Sequence, residues 1–206
     1  MKIKKVYILF LLLLVLLTGC VKKNQPEQPT QPEQPTQPEQ PTQPEQLGTE
    51  GLEFHLLENG TYGVSMGSTK SLKEIEIPSK YNGKFVTQIL DNGFKSSLME
   101  SISIPDSITS IGRYAFKGCE NLTSITIPES VTSIGESAFS NCSSLVSITL
   151  PFVGENYDGS GSTYFGYIFD SYSSSIPLSL KEVIITCSTK IGENAFFACS
   201  GLQKST

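Results

Sequence analysis

Ile104-Pro105-Asp106-Ser107-Ile108-Thr109-Ser110-Ile111-Gly112-Arg113-Tyr114-Ala115-Phe116 is followed, 23 residues later, by Ile127-Pro128-Glu129-Ser130-Val131-Thr132-Ser133-Ile134-Gly135-Glu136-Ser137-Ala138-Phe139. A phrase that returns in the same spacing, at a period between about 20 and 50 residues, marks a solenoid whose units bury their apolar sides only against one another.

Aligned on Pro105, Pro128 and Pro151, the unit reads Leu-x-x-Ile-x-Ile-Pro-x-x-Val-x-x-Ile-Gly-x-x-Ala-Phe-x-x-Cys. Ile125 and Ile127 alternate with Ser124 and Thr126, the period of a half-buried strand. Proline then removes a backbone donor, so the strand ends and the chain turns. Val131 to Ile134 reads as a second short strand closed by Gly135. The adjacent apolar residues of Glu-Ser-Ala-Phe suit one short helical turn of the 3₁₀ kind. Stacked coils bring equivalent residues to roughly 4.8 Å, so Phe116 is expected over Phe139 and Ile111 over Ile134. The predicted class is mainly β, a right-handed solenoid of short parallel strands with short helical turns.

Leu122-Thr-Ser-Ile125-Thr-Ile127-Pro128-Glu-Ser-Val131-Thr-Ser-Ile134-Gly135-Glu-Ser-Ala138-Phe139-Ser-Asn-Cys142 resembles the repeat of the BspA-type leucine-rich repeat family of bacterial surface proteins. Spacing and residue types agree through the whole unit, and the resemblance covers about residues 50 to 202. It implies a parallel β solenoid and adhesion to host proteins or other cells, and it implies no catalytic residues.

Residues 1–19 carry a basic start, Lys2, Lys4 and Lys5, then twelve apolar residues from Val6 to Leu17. That run falls short of the roughly 20 residues that span a bilayer, and its flanks are those of a signal peptide. Leu17-Thr18-Gly19-Cys20 resembles a bacterial lipobox, which implies cleavage before Cys20 and a lipid on its sulfur. Stable anchoring takes two or more acyl chains.

Residues 20–46 continue as a stalk. Gln-Pro-Glu-Gln-Pro-Thr occurs three times from residue 25 and a fourth copy begins, with proline at 26, 29, 32, 35, 38, 41 and 44. This period of three matches the polyproline II helix, and the segment has too little apolar surface to form a core. A spacer is the expected role. Proline-rich tracts are also ligands for aromatic grooves.

The solenoid domain is placed at 47–206. Glu58-Asn59-Gly60-Thr61 between alternating runs predicts a β-hairpin over Leu52 to Met66 that caps the first coil. From Pro78 to Pro105 the first full unit is 27 residues long, with a turn expected at Tyr81-Asn82-Gly83-Lys84, and Leu90 and Gly93 replace the usual Gly and Ala. Residues 152–177 break the pattern with aromatics among Gly and Ser, and are expected to form a loop leaving one corner. The strand phrase returns at Leu180-Lys-Glu-Val183-Ile-Ile185. Ser205 stands where other copies carry Ile or Val, which predicts a shortened member or an end that pairs with a partner.

After Gln46 there are ten basic and sixteen acidic residues, a net of −6. No basic patch is present for phosphate backbones, so nucleic acid is not an expected partner. Cys119, Cys142 and Cys199 share one repeat position and so belong to the core by register, where a thiol behaves as a small hydrophobe. Stacked thiols leave a disulfide open, although parallel side-chain vectors suit it poorly. The spacing of Cys and His fits no metal site, and no cofactor is expected. His55 is the single histidine, so no Ser-His-acid arrangement is supported. A surface hydrolase would need two carboxylates facing one cleft.

Two surfaces are candidates for binding. The outward strand positions form a strip: Glu74 and Glu76, Ser101 and Ser103, Ser124 and Thr126, Ser147 and Thr149, Glu182 and Ile184. The other is the insertion, whose Tyr, Ser and Gly resemble the composition of paratopes and in which Tyr164, Phe165 and Tyr167 are candidate contacts. Each has a plainer reading. Ser and Thr suit a soluble strand, and the rings are equally able to fold back over the side of the solenoid. The expected function is a lipid-anchored module at the bacterial cell surface that binds a host or cell-surface protein, the alternatives being a structural product without a ligand and a hydrolase.

Overall fold

Each short alternating run becomes one rung of a ladder. The computed structural model of the chain describes residues 48–170, 176–187 and 195–196, and the statements that follow concern these. The strands preceding the repeated proline, or taking its place, are β3 (Glu74–Glu76), β6 (Ser101–Ser103), β8 (Ser124–Thr126), β10 (Ser147–Leu150) and β11 (Glu182–Ile185). They pair in parallel as two ladders, β3 with β6, and β10 with β8 on one side and β11 on the other.

The second side holds a hairpin of β1 (Glu53–Leu56) and β2 (Tyr62–Ser65), then β5 (Lys84–Ile89), β7 (Ser110–Ile111) and β9 (Ser133–Ile134). β2, β5, β7 and β9 run parallel, with Ile111 opposite Ile134 as the repeat predicts. The hairpin forms where Asn59-Gly60 placed it. Asn59 Oδ1 accepts from the Thr61 amide at 3.0 Å, and Gly60 takes a φ of 82°. The extra residues of the first unit are β4 (Lys80–Tyr81), which turns back onto β5 through Asn82 and Gly83, both left-handed.

The third side differs from a helical turn. Tyr114 and Ser137 have φ of 57° and 56°, as does Asn92 at 57°, and a second left-handed position recurs at Ser96, Gly118 and Asn141. Successive i to i+3 bonds, Lys117 N to Tyr114 O and Cys119 N to Phe116 O, close a chain of β-turns. Two 3₁₀ turns do occur, at Thr69–Ser71 and Phe165–Phe169. Coils join along this side as well: the amides of Phe94, Phe116 and Phe139 donate to the carbonyls of Ala115, Ala138 and Ile168.

Inside, the phenylalanines form a column. Phe94 stacks on Phe116 at 5.8 Å and Phe116 on Phe139 at 5.2 Å, with ring planes 11° and 13° apart. The column continues through Phe169 at 6.2 Å, then Phe165 at 5.1 Å and Phe196 at 5.2 Å. Residues 152–170 are therefore an irregular coil of the solenoid and not a loop leaving a corner. Glu155 accepts from the Ile134 amide, Ser133 and Asn156 form an antiparallel bridge, and Phe152, Phe165, Ile168 and Phe169 are buried. Aromatic side chains this large stabilise more in the core than in water, which is why the break in the repeat still packs.

Ser130 and Ser107 occupy the same repeat position with unequal partners. Ser130 Oγ donates to the Ile108 carbonyl at 2.7 Å, whereas Ser107 Oγ is buried without a partner. A hydrogen bond of this kind contributes about 1 kcal/mol. Ser130→Ala is thus expected to lose about that amount, and Ser107→Ala to be neutral or slightly stabilising. Urea denaturation of the two variants side by side measures the difference.

Candidate binding surface

The strip is built by register. Glu74 lies opposite Ser101 and Glu76 opposite Ser103, Ser124 and Thr126 lie opposite Ser147 and Thr149, and these in turn face Glu182 and Ile184. Ser124 and Thr126 are exposed, and Ser147 and Thr149, flanked by strands on both sides, are half-buried. The strip is interrupted, because β6 and β8 do not pair; Ile102 and Ile104 at that seam are half-buried, whereas Ile125 and Ile127 are buried. On the β3–β6 side an open groove of about 450 Å³ is lined by Thr49, Glu74, Ile75, Glu76, Ser101, Ile102 and Ser103. Thr49 forms one wall: its amide donates to the Glu76 carbonyl at 2.8 Å and its Oγ1 accepts from the Glu76 amide at 2.7 Å. The sequence carries no periodic signal for Thr49, which lies outside the repeat. Lys73 and Glu100 pair at 2.7 Å close to the groove, and exposed pairs of this kind contribute little to stability.

The three candidate rings of the irregular coil separate. Phe165 is fully buried in the phenylalanine column, so it is a core residue and not a surface contact. Tyr164, the residue before the 3₁₀ turn, is 53% exposed. Tyr167 is half-buried, and its phenol is pushed up by burial and by the carboxylates of Glu155 and Glu136. Of the three, Tyr164 is the ring free to meet a partner.

A further surface lies on the two hairpins. Tyr81 stacks on Phe54 at 4.0 Å with planes 11° apart and meets Tyr62 edge-on at 5.2 Å. Tyr81 remains 39% exposed and Leu56, on the same strand as Phe54, is exposed as well. Phe54 and Tyr62 sit in strands predicted from the sequence, and β4 folds back through the turn expected at Asn82-Gly83, but no local pattern announced that Tyr81 meets the two rings.

Among the described residues the thiols are free. Cys119 Sγ donates to the Phe94 carbonyl at 3.1 Å and Cys142 Sγ to the Phe116 carbonyl at 3.2 Å. Burial pushes the Cys119 thiol up to about 12, and the Cys142 thiol upward as well. Both stay protonated at neutral pH and serve the core. Cys199 and the lipidation candidate Cys20 lie outside the described residues, as do the leader and the proline tract. His55 is on β1, 3.5 Å from Glu53. Among the described residues no group of His, Cys, Asp and Glu is placed to hold a metal ion.

Residues 68–204 match the BspA type leucine rich repeat region in six copies. Among solved structures, a leucine-rich repeat protein from Bacteroides capillosus is similar with 23% identity and a TM-score of 0.52 over 67% of this chain and 96% of that one. One from Eubacterium ventriosum has 25% identity and a TM-score of 0.47 over 70% of this chain and 37% of that one. The first likeness agrees with the solenoid fold. No curated protein matches the chain.

Proposed function

We propose that this chain, which belongs to the BspA-type leucine-rich repeat family over residues 68–204, is a lipid-anchored adhesion module that binds a host or cell-surface protein. The observation that carries the reading is the outward strip of two parallel ladders, Glu74 to Ser103 and Ser124 to Glu182, each in register within itself. Equal spacing of short polar side chains suits an extended partner, since solenoids present long regular surfaces. Cys20, after Leu17-Thr18-Gly19, is the proposed point of lipid attachment, with the proline tract as spacer to the domain. Bacterial surface display follows from these two features together.

The test is a pull-down with residues 47–206, after circular dichroism shows the fragment folded, against the proteins of a host surface. A retained partner that is weakened at least tenfold by Ser124→Lys with Thr126→Lys supports the strip. If Tyr164→Ser weakens it instead, the contact lies on the irregular coil. A folded domain that retains nothing overturns the adhesion reading and favours a structural role.

A further inference from the structure

We propose that the aromatic step of Phe54, Tyr62 and Tyr81 binds the acidic proline-rich tract, residues 25–46, of a neighbouring copy of this chain. The inference does not depend on the strip. Two rings stacked at 4.0 Å with a third edge-on at 5.2 Å make a corner whose outer ring, Tyr81, is open to solvent. Proline rings pack on aromatic faces, and a polyproline II segment arrives already ordered, so little conformational entropy is lost on binding.

Charge selects the ligand further. Lys84 lies directly opposite Tyr81 across the β4–β5 pair, which puts both on one face of that hairpin, and its side chain is exposed. Lys80, the preceding residue on β4, belongs to the opposite face, where its ammonium lies 5.0 Å over the Phe85 ring, so Lys84 is the cation on this side. The tract holds Glu27, Glu33, Glu39 and Glu45 and no basic residue between 25 and 46. At three residues per turn, residues six apart return to one face about 19 Å apart. Each six-residue copy thus presents one carboxylate and two prolines, the pairing that one lysine and one aromatic corner accept. A carbohydrate would also stack on Tyr81, but would leave Lys84 without a complementary charge.

The experiment uses the full chain labelled with ¹⁵N, with the seven prolines from 26 to 44 replaced by serine so that its own tract does not compete. A synthetic peptide of residues 25–36 is titrated in. Saturable amide shifts at Tyr62, Tyr81 and Lys84 are expected, lost with Tyr81→Ala and weakened several-fold by Lys84→Glu or by 0.5 M salt. Unmoved resonances of Phe116 and Phe139 show that each variant is folded. Should Tyr81→Ala disturb them, the exposed Lys84→Glu decides alone. Absence of saturable shifts, shifts confined to the strip, or equal binding of a peptide with alanine for proline overturns the proposal. A neutral oligosaccharide that shifts these amides where the peptide does not overturns it too.

Discussion

Phe116→Ala is expected to destabilise the domain by about 4 kcal/mol, the upper range for removing a buried phenylalanine. The ring is fully buried and has a stacked neighbour on each side, Phe94 at 5.8 Å and Phe139 at 5.2 Å. Its loss opens a void that neither neighbour fills without leaving its own coil, because the amides of all three phenylalanines are tied to the next coil. Domains of this size hold about 5–15 kcal/mol in all, so one substitution removes a large share. The measurement is the midpoint of urea denaturation by circular dichroism. A loss below about 1 kcal/mol would mean that the column is not what joins the coils.

Gly135→Ala is expected to cost about 3 kcal/mol, as overpacking against rigid neighbours does. A Cβ on Gly135 would lie 2.5 Å from Arg113 N and 2.6 Å from the Gly112 carbonyl carbon. Both are backbone atoms of the preceding coil, so relief requires the coils to separate, stretching the bond from Gly135 N to Ile111 O at 2.8 Å. Glycine is required at this position by close approach and not by a left-handed backbone. Gly166→Ala is the control: a Cβ there meets nothing within 4 Å, and a change within about 0.5 kcal/mol is expected. Thermal melts of the two variants against the parent decide it.

The registers of Ile111 with Ile134 and Phe116 with Phe139 were legible because a repeat of constant length fixes which side chains meet. The departure at Leu90 was legible as a departure and not in its cause. Its side chain fills the space over Gly63 of the preceding strand, where a Cβ would lie 2.4 Å from Leu90 Cδ2, so the larger residue is accommodated by a glycine at a different register position. The irregular coil was not legible: Phe165 and Phe169 occur among Gly and Ser without period, and only their stacking on Phe139 and Phe196 identifies them as core. Tyr114 at a φ of 57° was equally hidden, since an aromatic is a rare occupant of that conformation. The Arg113 and Lys117 cations near its ring, at 5.6 and 5.1 Å, and its place in the turn ladder hold it there. The strip was legible in composition and register, but its interruption at β6 and β8 and the Thr49 wall are tertiary features with no local signal.

The constancy of the phenylalanine column bears on how such a chain changes length. Excising residues 105–127 joins Ile104 to Pro128, restores the repeated Ile-Pro phrase, and brings Phe94 beneath Phe139 as a like-for-like neighbour. Nothing in the core registers the loss except the count of rungs. Lengthening or shortening therefore proceeds in whole coils, and what it alters is the reach of the exposed face, leaving its chemistry as it was.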